Sequence, residues 1–86
     1  MNKVWHDEAW DEYVAWQKED KKTLKRINDL IKDINRQPFV GIGKPEPLKG
    51  NWQGYWSRRI DDVNRIIYKV KNDQIIIAQC GGHYDG

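Results

Sequence analysis

Between Asp20 and Pro38 the chain reads DKKTLKRINDLIKDINRQP, and the aliphatic residues in it are Leu24, Ile27, Leu30, Ile31 and Ile34. That spacing sets all five on one stripe of an α-helix, with lysines on the opposite side. A helix that is apolar along one side only must be covered, so this stretch demands a second layer from the rest of the chain. Asp20 suits the N-cap, because its carboxylate can accept from the free N–H groups of the first turn. Pro38 ends the helix, since the residue before a proline avoids helical backbone.

Upstream, Ala9, Trp10, Tyr13, Val14 and Trp16 recur at helical spacing between Asp7 and Glu19. Asp7, Glu8, Asp11 and Glu12 crowd the first turns, where the helix dipole favours negative charge. This predicts a second helix, joined to the first as an antiparallel hairpin. Trp5, Trp10 and Trp16 are expected in the core. "KVW" before the helices reads as a short strand.

Past Pro38 the composition changes. All three prolines and Gly41, Gly43, Gly50 and Gly54 fall between Pro38 and Gly54, which predicts one long structured loop, of a length that is often functional. Three alternating runs follow, "YWSRRI", "RIIYKV" and "QIIIAQC", with turns at Asp62-Val63-Asn64 and Asn72-Asp73. Pairing Ile60 with Ile66 gathers Trp56, Ile60, Ile66, Tyr68 and Val70 on one face and Ser57, Arg59 and Arg65 on the other. A slip by one residue would mix apolar and cationic side chains on both faces. Arg58 alone falls on the apolar face and is expected to snorkel out at an edge. The fold class is therefore α+β, with two helices on a mainly antiparallel sheet of about four strands. The 86 residues suffice for a single domain spanning 1–86.

No apolar run is long enough to span a membrane, and "MNKVWHDEAW" lacks the apolar centre of a signal peptide. The single Cys80 has no partner for an internal disulfide, which points to a reducing, cytoplasmic setting and to a buried core thiol. No Cys/His spacing suggests a metal site. The net charge of +2 is unevenly placed. Residues 1–37 carry eight Lys/Arg and eight Asp/Glu, so the excess lies entirely in residues 38–86. Lys44, Lys49, Arg58 and Arg59 stand there near a single acid, Glu46, which favours an anionic partner such as RNA or an acidic protein segment.

A lone acid in a loop is ordinarily a solvated charge. Glu46 differs because Pro45 and Pro47 restrain the backbone on both sides of it. Arg59 and Arg65 share the open strand face, where bidentate hydrogen bonding can grip a phosphate. Lys44 and Lys49 sit where they attract RNA. His83, just past the last strand, titrates near neutral pH and suits a proton donor.

The runs "GKPEPLKGNWQGYWSRRI", "NRIIYKV" and "CGGHY", together with "WHDEAWDEYVAWQKEDKKTLKRINDLIKDINRQPFVG", resemble the YoeB family of bacterial toxins from about Lys3 to Tyr84. These belong to the RelE-like ribosome-dependent mRNA endoribonucleases. The resemblance implies a microbial-ribonuclease-like fold, cleavage of mRNA in the ribosomal A site without a metal or cofactor, a YefM-type antitoxin as partner, and a homodimer. It makes Glu46 the general base, Arg59 and Arg65 the phosphate-binding arginines, His83 the general acid, Tyr84 the catalytic-site tyrosine that stacks on or orients a nucleotide, and Lys44 and Lys49 the RNA-attracting lysines. Gly81-Gly82 before the histidine and Asp85-Gly86 after the tyrosine depart from the family pattern. Glycine's large ordering entropy predicts a loose tail here. A catalytically inactive module that binds ribosome or antitoxin is the alternative reading. A DNA-binding regulator is disfavoured, because the helix after Asp20 turns its apolar stripe to the core.

Overall fold

The computed structural model describes residues 1–82. His83 and Tyr84 lie outside the described residues. The elements are β1 (Asn2–Trp5), α1 (Asp7–Glu19), α2 (Lys21–Arg36), β2 (Glu46–Pro47), β3 (Trp56–Arg59), β4 (Arg65–Lys71) and β5 (Gln74–Cys80), with a 3-10 turn at Gly50–Trp52. One residue joins the helices. The Asp20 N–H closes α1 on the Trp16 carbonyl, and its carboxylate accepts from Lys22 N and Thr23 N to cap α2. Tyr13 Oη donates to Asn28 Oδ1 at 2.8 Å and ties the helices midway.

The sheet has five strands in the order β1-β5-β4-β3-β2. β1 runs parallel to β5 and the other pairs are antiparallel. To the strands expected the structure adds β2, two residues inside the long loop that pair Glu46 with Ser57 and Pro47 with Trp56. Proline is tolerated there because β2 is an edge strand. The hairpin register is corrected. Arg58, not Ile60, stands opposite Ile66, and Arg59 stands opposite Arg65. Ile60 instead donates its N–H to the Asn64 carbonyl at 2.9 Å, closing the turn earlier. A two-residue shift preserves the face of every side chain, so the division into faces holds.

Ile27, Leu30, Ile31 and Ile34 of α2 and Ala9 of α1 pack with Ile60, Ile66, Tyr68, Ile75, Ile77 and Cys80 of the sheet. Burying each of these aliphatic side chains contributes about 1.5–3 kcal/mol, which is what fixes the helices to this face. The opposite face is not bare. Leu48, Ile67 and Ala78 form a second cluster there, with Trp52 and Tyr55 against it. A bulge allows this: Ile67 faces Gln79 and Tyr68 faces Ile77, leaving Ala78 as the extra residue.

Two side chains depart from expectation. Trp10 is 48% exposed, edge-on to Trp5 and tilted against Tyr13 outside the sheet edge, at centroid distances of 5.7 and 5.8 Å. Arg58 does not snorkel; it is fully buried and paired with Asp33. A counter-charge and backbone carbonyls in reach replace the water it gives up. No helix among the described residues is long and apolar enough to cross a membrane.

Candidate active site

Strand pairing assembles the site. Directly opposed residues of an antiparallel pair share a face, and so do residues two apart on one strand. Glu46 opposes Ser57, Ser57 opposes Ile67, and Arg59 opposes Arg65, so Glu46, Arg59 and Arg65 all project from the face away from the helices. Glu46 and Arg59 are diagonal neighbours across β2 and β3, with a backbone separation of roughly 7–8 Å. Ser57 is buried beneath them.

Among the described residues, neither the Glu46 carboxylate nor the Arg59 guanidinium has a hydrogen-bond or ion-pair partner, although both are exposed. Lys44 and Lys49 are also exposed and unpaired among the described residues. Lys44 adopts φ +54. A left-handed conformation at a residue other than glycine costs about 1 kcal/mol or more and marks positions held by their surroundings. Here it turns the chain from Gly43 into the rigid Pro45-Glu46-Pro47 segment.

Arg65 is held differently. Its Nη1 donates to the carbonyls of Asp61 at 2.7 Å and Asn64 at 3.1 Å. The turn beneath it is built by the Asp61 carboxylate, which accepts from Val63 N and Asn64 N. The Asn64 side chain, then its backbone, holds the Asp61 carboxyl below its ordinary 3.8. Arg65 also fixes the end of β5: its N–H donates to the Gly82 carbonyl and its carbonyl accepts from Gly81 N. Gly82 N donates to Asn64 Oδ1 at 2.8 Å. Helix α1 grips the same strand end, with Trp16 Nε1 donating to the Cys80 carbonyl at 2.9 Å and Glu12 accepting from Cys80 N at 3.0 Å. Burial pushes the Cys80 thiol up to about 12, so it carries no thiolate chemistry.

The two glycines are thus themselves held by hydrogen bonds, and the tail that the entropy argument concerns lies outside the described residues. Both take positive φ, +137 at Gly81 and +77 at Gly82, a backbone that larger residues resist. They deliver the chain beside Arg65 at Gly82. The next residue, His83, and Tyr84 after it are the two site candidates outside the described residues.

Sequence reasoning missed the support beneath the site. Asp33, Arg58 and Tyr68 form a buried polar network under the loop that leads to Glu46. The signal available was a single arginine on an otherwise apolar strand face, without its counter-charge.

The sequence model of the YoeB-like toxins of bacterial type II toxin-antitoxin systems matches residues 5–84. Toxin YoeB of Escherichia coli strain K12 is 52% identical over 84 residues, covering 98% of this chain and all of that one. The YoeB/ParE toxin from Agrobacterium tumefaciens superposes with a TM-score of 0.95 at 46% identity, over 98% of this chain and 100% of that one. YoeB of Staphylococcus aureus has been solved as a dimer, at 45% identity, a TM-score of 0.91 and 98% coverage of both chains. It has also been solved in a heterotetrameric YoeB-YefM toxin-antitoxin complex, at 45% identity, a TM-score of 0.90 and the same coverage. The identities and the near-complete coverage leave one conclusion: this chain belongs to the YoeB-like toxins of bacterial type II toxin-antitoxin systems.

Proposed function

We propose that the chain is an endoribonuclease that cleaves mRNA in the ribosomal A site, and that residues 1–86 act as one cytoplasmic toxin domain. The observation that supports this most is the unpaired Glu46 carboxylate on the same open face as Arg59 and Arg65. A structural ion pair would join acid to arginine. Holding both rigidly and apart leaves each free for a substrate.

The chemistry follows from those groups. The RNA's own 2′-hydroxyl is the nucleophile, so no metal is needed to generate one. Glu46 takes the hydroxyl proton as the 2′-oxygen bonds to phosphorus. Arg59 and Arg65 stabilise the charge that builds on the phosphoryl oxygens. The bond from phosphorus to the 5′-oxygen breaks, and His83 protonates that oxygen. The products are a 2′,3′-cyclic phosphate and a free 5′-hydroxyl. Tyr84 stacks on a neighbouring nucleotide, and Lys44 and Lys49 draw the backbone in. A YefM-type antitoxin with an acidic or amphipathic segment covers this cationic face in the paired complex.

The test is primer extension on a message translated in the presence of the purified protein. Cuts in the A-site codon are expected, with Glu46→Gln slowed about 10²- to 10⁴-fold in the single-turnover cutting step. A translational block without cuts would make the chain a binding module instead.

A further inference from the structure

Arg58 uses every donor it has. A guanidinium carries five N–H groups, and in this chain each finds an acceptor. Nε donates to Tyr68 Oη at 3.1 Å. Nη1 donates to Asp33 Oδ2 and to the Ile42 carbonyl. Nη2 donates to the carbonyls of Gln37 at 2.6 Å and Val40 at 2.9 Å. Three of the five acceptors are therefore backbone carbonyls of one loop. Tyr68 adds a fourth by donating its hydroxyl to the Pro38 carbonyl at 2.6 Å. The same Asp33 Oδ2 also holds this loop, accepting from Ile42 N at 3.0 Å.

This loop ends where the site begins. The Gly43 carbonyl accepts from Arg59 N at 2.7 Å, and three residues later Glu46 enters β2 opposite Ser57. The loop has no slack. A Cβ on Gly41 would lie 2.1 Å from Asp33 Oδ2, and one on Gly43 would lie 2.7 Å from Leu30 Cδ2 and 3.1 Å from the Arg59 carbonyl. Arg58 is also the chain neighbour of Arg59. One buried group thus sets both the loop that presents the acid and the strand that presents the phosphate-binding arginine. A plain fold staple at this position would be served by apolar side chains of similar volume, which often match or exceed a buried ion pair in stability.

We propose that Asp33, Arg58 and Tyr68 are positioning residues for RNA cleavage, acting through the loop from Gln37 to Gly43 to hold Glu46 at a fixed offset from Arg59. This rests on the reading of Glu46 as the general base. It adds to that reading a buried network that touches no substrate yet sets the rate of proton removal.

Tyr68→Phe is the mildest probe. It keeps the ring in the core and removes only the oxygen that links Arg58 Nε to the Pro38 carbonyl. Gln37→Leu is the second. It removes the 3.0 Å bond from Gln37 Nε2 to Asp33 Oδ1 at a half-buried position and keeps the Gln37 carbonyl that accepts from Arg58. Single-turnover cleavage is measured on ribosomes saturated with each variant, alongside ribosome affinity and thermal unfolding. Tyr68→Phe is expected to cut about tenfold more slowly and Gln37→Leu a few-fold more slowly, with ribosome affinity unchanged. Both changes are then made in a Glu46→Gln background. Groups acting through Glu46 have little left to disturb there, so their penalties should largely vanish. Penalties that add in full to that of Glu46→Gln, or parental cutting rates in both single variants, would overturn the proposal. Parental cutting by Glu46→Gln alone would overturn the underlying assignment of the base, and the positioning role with it.

Discussion

Asp33 shows how one carboxylate can serve several neighbours. It accepts from Arg58, from Gln37 Nε2 and Arg36 Nη2, and from Ile42 N. The Gln37 side chain first, then Arg58, Ile42 and Arg36, hold its carboxyl well below the ordinary value of 3.8, against the opposing pull of burial. A carboxyl depressed in the folded state stabilises the fold above its unfolded pKa and loses that contribution as pH falls through the folded one. Asp33→Asn is therefore expected to cost ~3 kcal/mol at neutral pH, near the low end for an orphaned buried charge because four other acceptors stay on Arg58. The gap to the parent should begin to close below about pH 4, as the parent loses its own contribution. Urea unfolding between pH 7 and strongly acidic pH checks both statements, and a constant gap would show that the carboxylate charge is not what Arg58 needs. None of this was legible from spacing. The sequence marks Arg58 as a cation on an apolar strand face, but its counter-charge lies 25 residues earlier, on the flank of a helix.

Periodic elements were legible because burial imposes a period on them. The α2 stripe, the α1 boundaries and the three long strands all follow from it, and face parity alone put Arg59 and Arg65 together. β2 was not legible. Two residues between prolines carry no period, so the pairing that brings Glu46 onto the arginine face is visible only in three dimensions. The loop before it obeys close packing rather than pattern. Gly43 has φ +81 and lies between Leu30, Arg58 and the Arg59 backbone, so Gly43→Ala is expected to destabilise by about 1–3 kcal/mol through strain and overlap. A matched change at Gly50, where a Cβ would meet no atom within 4 Å, should cost less despite its φ of +63. Chemical denaturation of the two variants side by side gives the comparison, and equal losses would mean that backbone conformation alone sets the cost.

Across the whole molecule, apolar surface remains outside the core. Val4 and Trp10 are exposed beside the outer edge of the sheet, where β1 has a strand on one side only among the described residues. An exposed apolar edge of this kind suits a contact with a second copy of the chain, which brings the same surface to it. Light scattering on the purified protein should report a dimer, and Trp10→Glu should shift it to monomer at equal concentration. A Trp10→Glu dimer would move the contact elsewhere, with Phe39, Val40 and Ile42 as the other exposed apolar group.

The parallel pairing of β1 with β5 sets the order in which a working molecule can come into being. Asn2 lies opposite Gln74, so nearly the whole chain must be made before the strand that opens it finds its neighbour. Closing so long a loop is entropically costly and makes for slow, late folding. During synthesis β1 and the two helices emerge before the other strands, and the apolar stripe stays uncovered while Glu12 and Trp16 wait for Cys80. Chains arrested at increasing length are expected to resist protease only once Cys80 is free of the ribosome; resistance at Lys71 would break the link. Under the activity proposed above, a chain still being made therefore lacks a finished site, since the strand that secures its Arg65 end joins the sheet only after the other strands are out.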